Sequence, residues 1–194
     1  MNPHVKAIES VLSVLDRLEI PCEVVGSLAS SVHGIPRATN DIDLVVQLHR
    51  DRIAELVNEL QPEFYADAQM IADALVCGRS FNIIHYATSL KFDLFPLQED
   101  DYSHTQFARR AFAGVRIVGE HTVECAVASA EDTILAKLRG YKATGETSER
   151  QWNDLRGILK VSGERLDMDY VNHWAEQLGL SDVLGRLMQE RARD

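Results

Sequence analysis

Val24-Val25-Gly26-Ser27, followed after a short gap by Arg37-Ala38-Thr39-Asn40-Asp41-Ile42-Asp43-Leu44-Val45-Val46, is the stretch that decides how this chain reads. Glu23-Val24-Val25 predicts a short strand ending at Gly26. Glycine lets the backbone turn tightly and come close to a ligand. Ser27 suits an N-cap, and a helix from there runs to about His33, where Gly34 and Pro36 stop it. A second strand is predicted over 41–48. Ile42, Leu44 and Val46 take one face; Asp41, Asp43 and Val45 take the other. Two carboxylates therefore project together, their Cα atoms about 6–7 Å apart at a rise near 3.3 Å per residue. Such a pair is costly unless a cation or hydrogen bonds offset the repulsion. All-oxygen ligands favour a hard divalent cation, Mg2+ or Mn2+. A polar strand edge facing solvent would also contain Asp-x-Asp. Gly26-Ser27 ahead of it, at a helix start whose free N–H groups suit an anion, tips the reading toward a nucleoside triphosphate and its metal.

A third carboxylate stands at Asp93 in Leu90-Lys91-Phe92-Asp93-Leu94-Phe95. Phe92 and Leu94 share one face; Lys91, Asp93 and Phe95 share the other. If this strand neighbours 41–48, Asp93 completes an acidic triad of the kind two-metal phosphoryl chemistry uses, and it could accept the attacking proton. Arg37 either contacts a phosphate or only balances the carboxylates. Lys137, on a helix beginning near Ala130, is a point-charge candidate for phosphate; a solvated helix face is the plain alternative. Arg150 and Asp154 are four apart on a helix, where a weak surface ion pair is the plain reading. The functional one puts Arg150 near the triphosphate and Asp154 near the base, sugar or Lys137.

The rest of the pattern supplies the frame. Val5, Ile8, Leu12, Leu15 and Leu18 predict a helix over 5–19, and further helices are expected over 50–60 and 67–77. Phe64-Tyr65 reads as a strand fragment. Strands are expected over 81–86, 90–95, 115–118 and 122–127, the last two joined by a turn at Gly119-Glu120; residues 100–113 read as helix or loop. Ser129 with Asp132 marks a helix start, and helices follow over about 148–161, 168–178 and 181–192. The expected division is a mixed α/β part over 1–128 and a helical part over 129–194, an α+β chain.

The 194 residues, 45% of them apolar, suffice for a core without disulfide or metal staples. The formal net charge of −10 disfavours broad, non-specific nucleic-acid binding. Cys22, Cys77 and Cys125 are widely spaced, which argues against zinc and for reduced, mostly buried thiols. The histidines show no ligand spacing. No apolar run nears membrane-spanning length and the N-terminus has no signal core, so a cytoplasmic protein is expected.

Gly26-Ser27, Asp41-x-Asp43 and Asp93 together resemble the nucleotidyltransferase superfamily with the DNA polymerase beta fold. Arg37-x-Thr39-x-Asp41-Ile42-Asp43-Leu44 is similar to small prokaryotic members related to the AbiEii-type toxins. The similarity extends more loosely into Glu131 to Leu138 and Arg150 to Asp154. It implies a mixed sheet flanked by helices, with a helical region closing a nucleotide cleft. It implies Asp41, Asp43 and Asp93 as metal ligands, Gly26 and Ser27 at the triphosphate, and Lys137 as a phosphate contact. The first motif departs from a double glycine, reading Gly-Ser-Leu-Ala. The implied activity is transfer of an NMP from an NTP to an acceptor hydroxyl: a tRNA end, a protein side chain or a small molecule such as an aminoglycoside. A toxin–antitoxin role with a partner protein follows from the same kinship. Two alternatives are a nucleotide-binding or antitoxin-like module with little catalysis, and a metal-dependent phosphohydrolase, which the histidine spacing does not support.

Overall fold

The computed structural model describes residues 2–119 and 121–192; Glu120 of the expected turn lies outside them. The alternating segments form a seven-stranded mixed sheet, ordered β3-β4-β5-β2-β1-β7-β6. Its strands are β1 (Cys22–Val24), β2 (Asp41–Val46), β3 (Phe64–Tyr65), β4 (Phe81–His85), β5 (Lys91–Pro96), β6 (Ala111–Val118) and β7 (His121–Val127). At the centre, β2 runs antiparallel to β1 and parallel to β5. β1 runs parallel to β7. The outer pairs are antiparallel.

Nine α-helices complete the described residues: α1 (Pro3–Arg17), α2 (Gly26–His33), α3 (Ile53–Leu60), α4 (Ala68–Cys77), α5 (Asp101–Ala108), α6 (Ala130–Ala143), α7 (Glu149–Ser162), α8 (Met168–Gln177) and α9 (Ser181–Arg191). Local chemistry sets their starts. Side chains of Asn2, Asp67, Asp100, Ser129, Ser148 and Asp167 each accept a backbone N–H of the first turn. None of the helices is long and apolar enough to cross a membrane.

The strand phase decides what lies on each face. Ile42, Leu44, Val46, Phe92, Leu94, Phe81 and Ile83 point into a core shared with α1, α3, α4 and the inner side of α2. A second apolar cluster joins Tyr102 of α5 to Ile134, Leu135 and Leu138 of α6, and to α7, α8 and α9. The opposite sheet face carries Asp41, Asp43, Lys91 and Asp93, with Val45 and Phe95 beside them.

Several boundaries differ from the sequence expectation. β2 ends at Val46, and Arg50–Arg52 form a single 3-10 turn before α3. β6 begins at Ala111, four residues before the expected 115, because Ala111 to Arg116 pair in register with β7. Those first residues alternate weakly, and Phe112 is 81% exposed on the edge strand. Of the three thiols only Cys125 is buried; Cys22 is half-buried and Cys77 exposed, and all are free. Burial pushes the Cys125 thiol up to about 12 and the Cys22 thiol to about 11, so neither is a reactive thiolate.

Candidate active site

Asp43 and Asp93 are direct register partners across the parallel β2–β5 pair, and Asp41 stands opposite Lys91. Partners in register share a face, so Asp41, Asp43 and Asp93 gather on the polar side of the sheet. The adjacency on which a triad depends is therefore present. Burial, with the charges of Asp93 and Asp41, raises the Asp43 carboxyl above its ordinary value; the Ser27 backbone N–H works against the rise. Lys91 is the resident cation. Its Nζ lies 2.8 Å from Asp93 Oδ2 and 3.9 Å from Asp41 Oδ1. Among the described residues no three Asp, Glu, His or Cys side chains are already closed around one point as a metal cage. The donor set nevertheless fits magnesium or manganese: carboxylate oxygens only, crowded by like charge, with an ammonium standing in for a cation between two of them.

Gly26 meets this cluster from the end of β1. Its φ of +63° lies in the left-handed region, and a Cβ there would sit 2.7 Å from Asp43 Cγ and overlap the carboxylate oxygen. Glycine is required on both counts. Gly26→Ala should cost about 2 kcal/mol, a drop in melting temperature of roughly 6 °C. An unchanged melting curve would show that Gly26 and Asp43 are not this close.

The glycine conformation also moves the helix start. α2 begins at Gly26 with Val25 at the N-cap and no side-chain cap bond, so Ser27 is inside the first turn and does not cap it. Its hydroxyl is instead the acceptor for Arg37 Nη2 at 2.6 Å and for Arg150 Nη2 at 3.4 Å. Arg37 turns its fork to Asp154, with Nε to Oδ1 at 2.7 Å and Nη2 to Oδ2 at 2.9 Å. Lys137 Nζ donates to the same Oδ2 at 2.7 Å. Asp154 and Lys137 are both buried, so neither is on a solvated helix face, and no Arg150–Asp154 surface pair forms. The two cations hold the Asp154 carboxyl below its ordinary range despite its burial. Burial is the larger influence on Lys137, whose amine is lowered even with Asp154 beside it. Lys91 and Asp154 are thus the central counter-ions of two linked clusters. Of the six residues expected to contact the nucleotide, Ser27, Arg37, Lys137, Arg150 and Asp154 meet in one cluster, with Asp154 beside Lys137 as one of its expected placements had it, and Gly26 adjoins them.

Glu23 was not expected here. It pairs with Val45, which puts it on the same face as Asp43. It is fully buried; Oε1 accepts from Gln106 Nε2 at 2.9 Å, and Oε2 has no partner among the described residues. Burial, helped by Asp132, lifts its carboxyl from 4.5 to about 7. Gln106 and Asp132 also line a small cavity of about 100 Å3 behind Gly26. A raised carboxyl holds its proton in the folded state after the unfolded chain has lost it. Its stabilising contribution is therefore full below pH ~4.5 and declines as pH rises to about 7, by roughly 3 kcal/mol. Glu23→Gln should be more stable than the parent at pH 8, with the advantage shrinking toward pH 5. Denaturant melts at the two pH values measure this, and equal differences at both would contradict it.

No family model matches the chain, and no curated protein does. Solved structures are similar. The antibiotic-resistance factor ANT(2″)-Ia, determined in solution, superposes with a TM-score of 0.56 at 16% identity, covering 98% of each chain. The same protein in complex with adenylyl-2″-tobramycin gives 0.51 at 15% identity, over 88% of this chain and 94% of that one. The lincosamide adenylyltransferase LnuA gives 0.48 at 10% identity, over 80% and 96%. The fold is nucleotidyltransferase-like. Within this fold, Lys91 and Glu23 are the site features that residue patterns did not disclose. Strand phase already put Lys91 on the face of Asp93. What was missing was the register that sets it against Asp41.

Proposed function

We propose that the chain is a metal-dependent nucleotidyltransferase that moves an NMP from an NTP to an acceptor hydroxyl. The observation that carries this is the in-register gathering of Asp41, Asp43 and Asp93 against Gly26 at the start of α2. Magnesium or manganese held by these carboxylates would neutralise charge on the attacking and leaving oxygens. Asp93, at the outer side of the triad, accepts the acceptor's hydroxyl proton. The acceptor oxygen forms its bond to the α-phosphorus as the bond to the bridging oxygen breaks, and pyrophosphate leaves. Gly26 and Ser27 seat the triphosphate at the start of α2, where backbone N–H groups and the helix dipole favour an anion. Arg150, whose one hydrogen bond among the described residues is the long contact to Ser27, turns to phosphate most readily. Arg37 and Lys137 are tethered by Asp154 and supply positive potential behind Ser27. Lys137, Arg150 and Asp154 all come from the helical region that follows residue 128, which in this reading closes the nucleotide cleft.

The acceptor is a small, cationic, hydroxyl-bearing molecule. The net charge of −10 attracts such a molecule and repels tRNA. One similar fold carries an adenylylated tobramycin. A toxin–antitoxin role rests on the Arg37 to Leu44 motif alone.

Incubation with NTPs labelled at the α or the γ phosphate, with Mg2+ or Mn2+ and a panel of aminoglycosides and cell extract, tests the reaction. The α label should pass to an acceptor and the γ label to pyrophosphate. Release of γ label as orthophosphate without α transfer would point to a hydrolase. Bound NTP that never turns over would point to a binding module.

A further inference from the structure

The triad is not an open set of carboxylates, because Lys91 already occupies it. Lys91 opens β5 directly opposite Asp41, two residues before Asp93 on the same strand. That phase sends its side chain to the acidic face, and its ammonium bonds Asp93 at 2.8 Å with Asp41 at 3.9 Å. The side chain is 40% exposed. It is therefore held by the carboxylates and not by packing, and its long flexible stem can carry the ammonium away.

Resting on the metal-binding reading above, we propose that Lys91 is an internal competitor for the metal, so that the cation enters the triad together with a triphosphate and hardly at all alone. A bare cation must displace an ammonium already paired to Asp93, and magnesium gives up its water reluctantly. A triphosphate alters both sides of that exchange. It brings oxygen ligands of its own to the cation, and it offers the released ammonium a new anion. Nucleotide and metal then bind cooperatively, each raising the affinity of the other by the same factor. Lys91 is a positioning residue in this account: it acts on the reaction through the carboxylates.

Mn2+ binding followed by electron paramagnetic resonance tests the inference without reference to turnover. In the absence of nucleotide, Lys91→Met should bind Mn2+ about fivefold more tightly than the parent, the equivalent of one lost exposed ion pair of about 1 kcal/mol. Lys91→Arg keeps the charge and should behave like the parent, a distinction that lost side-chain packing would not produce. Adding a non-hydrolysable NTP analogue should tighten Mn2+ binding more in the parent than in Lys91→Met. Should the parent bind Mn2+ with the analogue while Lys91→Met shows no gain without it, the competitor role is wrong and the metal site stands. If neither protein binds Mn2+ with or without the analogue, the metal reading and this inference fall together.

Discussion

Asp43→Asn should lower nucleotidyl transfer by about three orders of magnitude while leaving the metal-free protein as stable as the parent or slightly more so. The loss corresponds to about 4 kcal/mol, the scale on which metal-borne charge stabilisation acts in a transition state. The stability half of the prediction comes from the crowding. Asp43 lies beside Asp93, with Asp41 two residues away on the same strand, and burial together with those charges raises its carboxyl. A carboxyl raised in the folded state contributes stability at low pH that diminishes as pH rises, so a neutral amide removes a cost at pH 7 and above. Asparagine keeps the acceptor oxygen that the Ser27 backbone N–H uses. It also keeps the volume that Gly26 is shaped to admit. Transfer rates and thermal melts of the same preparation separate the two effects. A variant that loses activity and stability together would indicate a structural role for Asp43 and count against ligation.

Asp154→Ala carries the largest expected effect on stability. Its carboxylate takes three charged hydrogen bonds, two from Arg37 and one from Lys137. Lys137 is buried, and Asp154 is its one ion-pair partner among the described residues. Removing one partner of a buried ion pair leaves an uncompensated charge and costs about 3–5 kcal/mol. For a chain of this size that is a fall in melting temperature of roughly 10 °C. The depressed carboxyl of Asp154 gives the opposite pH sense to Glu23. Its contribution is present above pH ~4 and is lost as pH falls through its lowered value. The difference between parent and Asp154→Ala should thus be large at pH 7 and shrink in acid. Asp154→Asn should fall between the two. A loss below about 1 kcal/mol at pH 7 would show the cluster to be solvated, as an ordinary surface pair is.

The acidic face was legible because strand phase is local. A period of two puts Asp41 with Asp43, and Lys91 with Asp93, whatever else the chain does. The pairing of Asp43 with Asp93 was not legible, since register between distant strands follows from the packing of Ile42, Leu44, Phe92 and Leu94 on the opposite face. Asp154 shows the same limit on a helix. Spacing set it one turn from Arg150 and offered Lys137, 17 residues away, as a candidate partner; nothing in the pattern tied it to Arg37, 117 residues away. Ser27 does not cap α2 for a conformational reason: with a positive φ at Gly26 the N-cap falls two residues earlier, at Val25, which frees the hydroxyl from capping. The start of β6 does not show in the sequence because Ala111-Phe112-Ala113-Gly114 has little apolar alternation and is held by β7 alone. Glu23 gave no sign at all, as nothing near it in sequence shows that Gln106 and Asp132 cover it.

The central claim is that three carboxylates and the start of α2 together hold a metal-bound triphosphate. A crystal structure of the protein with Mn2+ and a non-hydrolysable NTP analogue, using anomalous scattering to locate manganese, tests it most directly. Manganese should lie between Asp43 and Asp93, with the triphosphate over Gly26 and Ser27 and Lys91 withdrawn from Asp93. A nucleotide bound elsewhere, or manganese absent from the triad while the nucleotide is present, would contradict it.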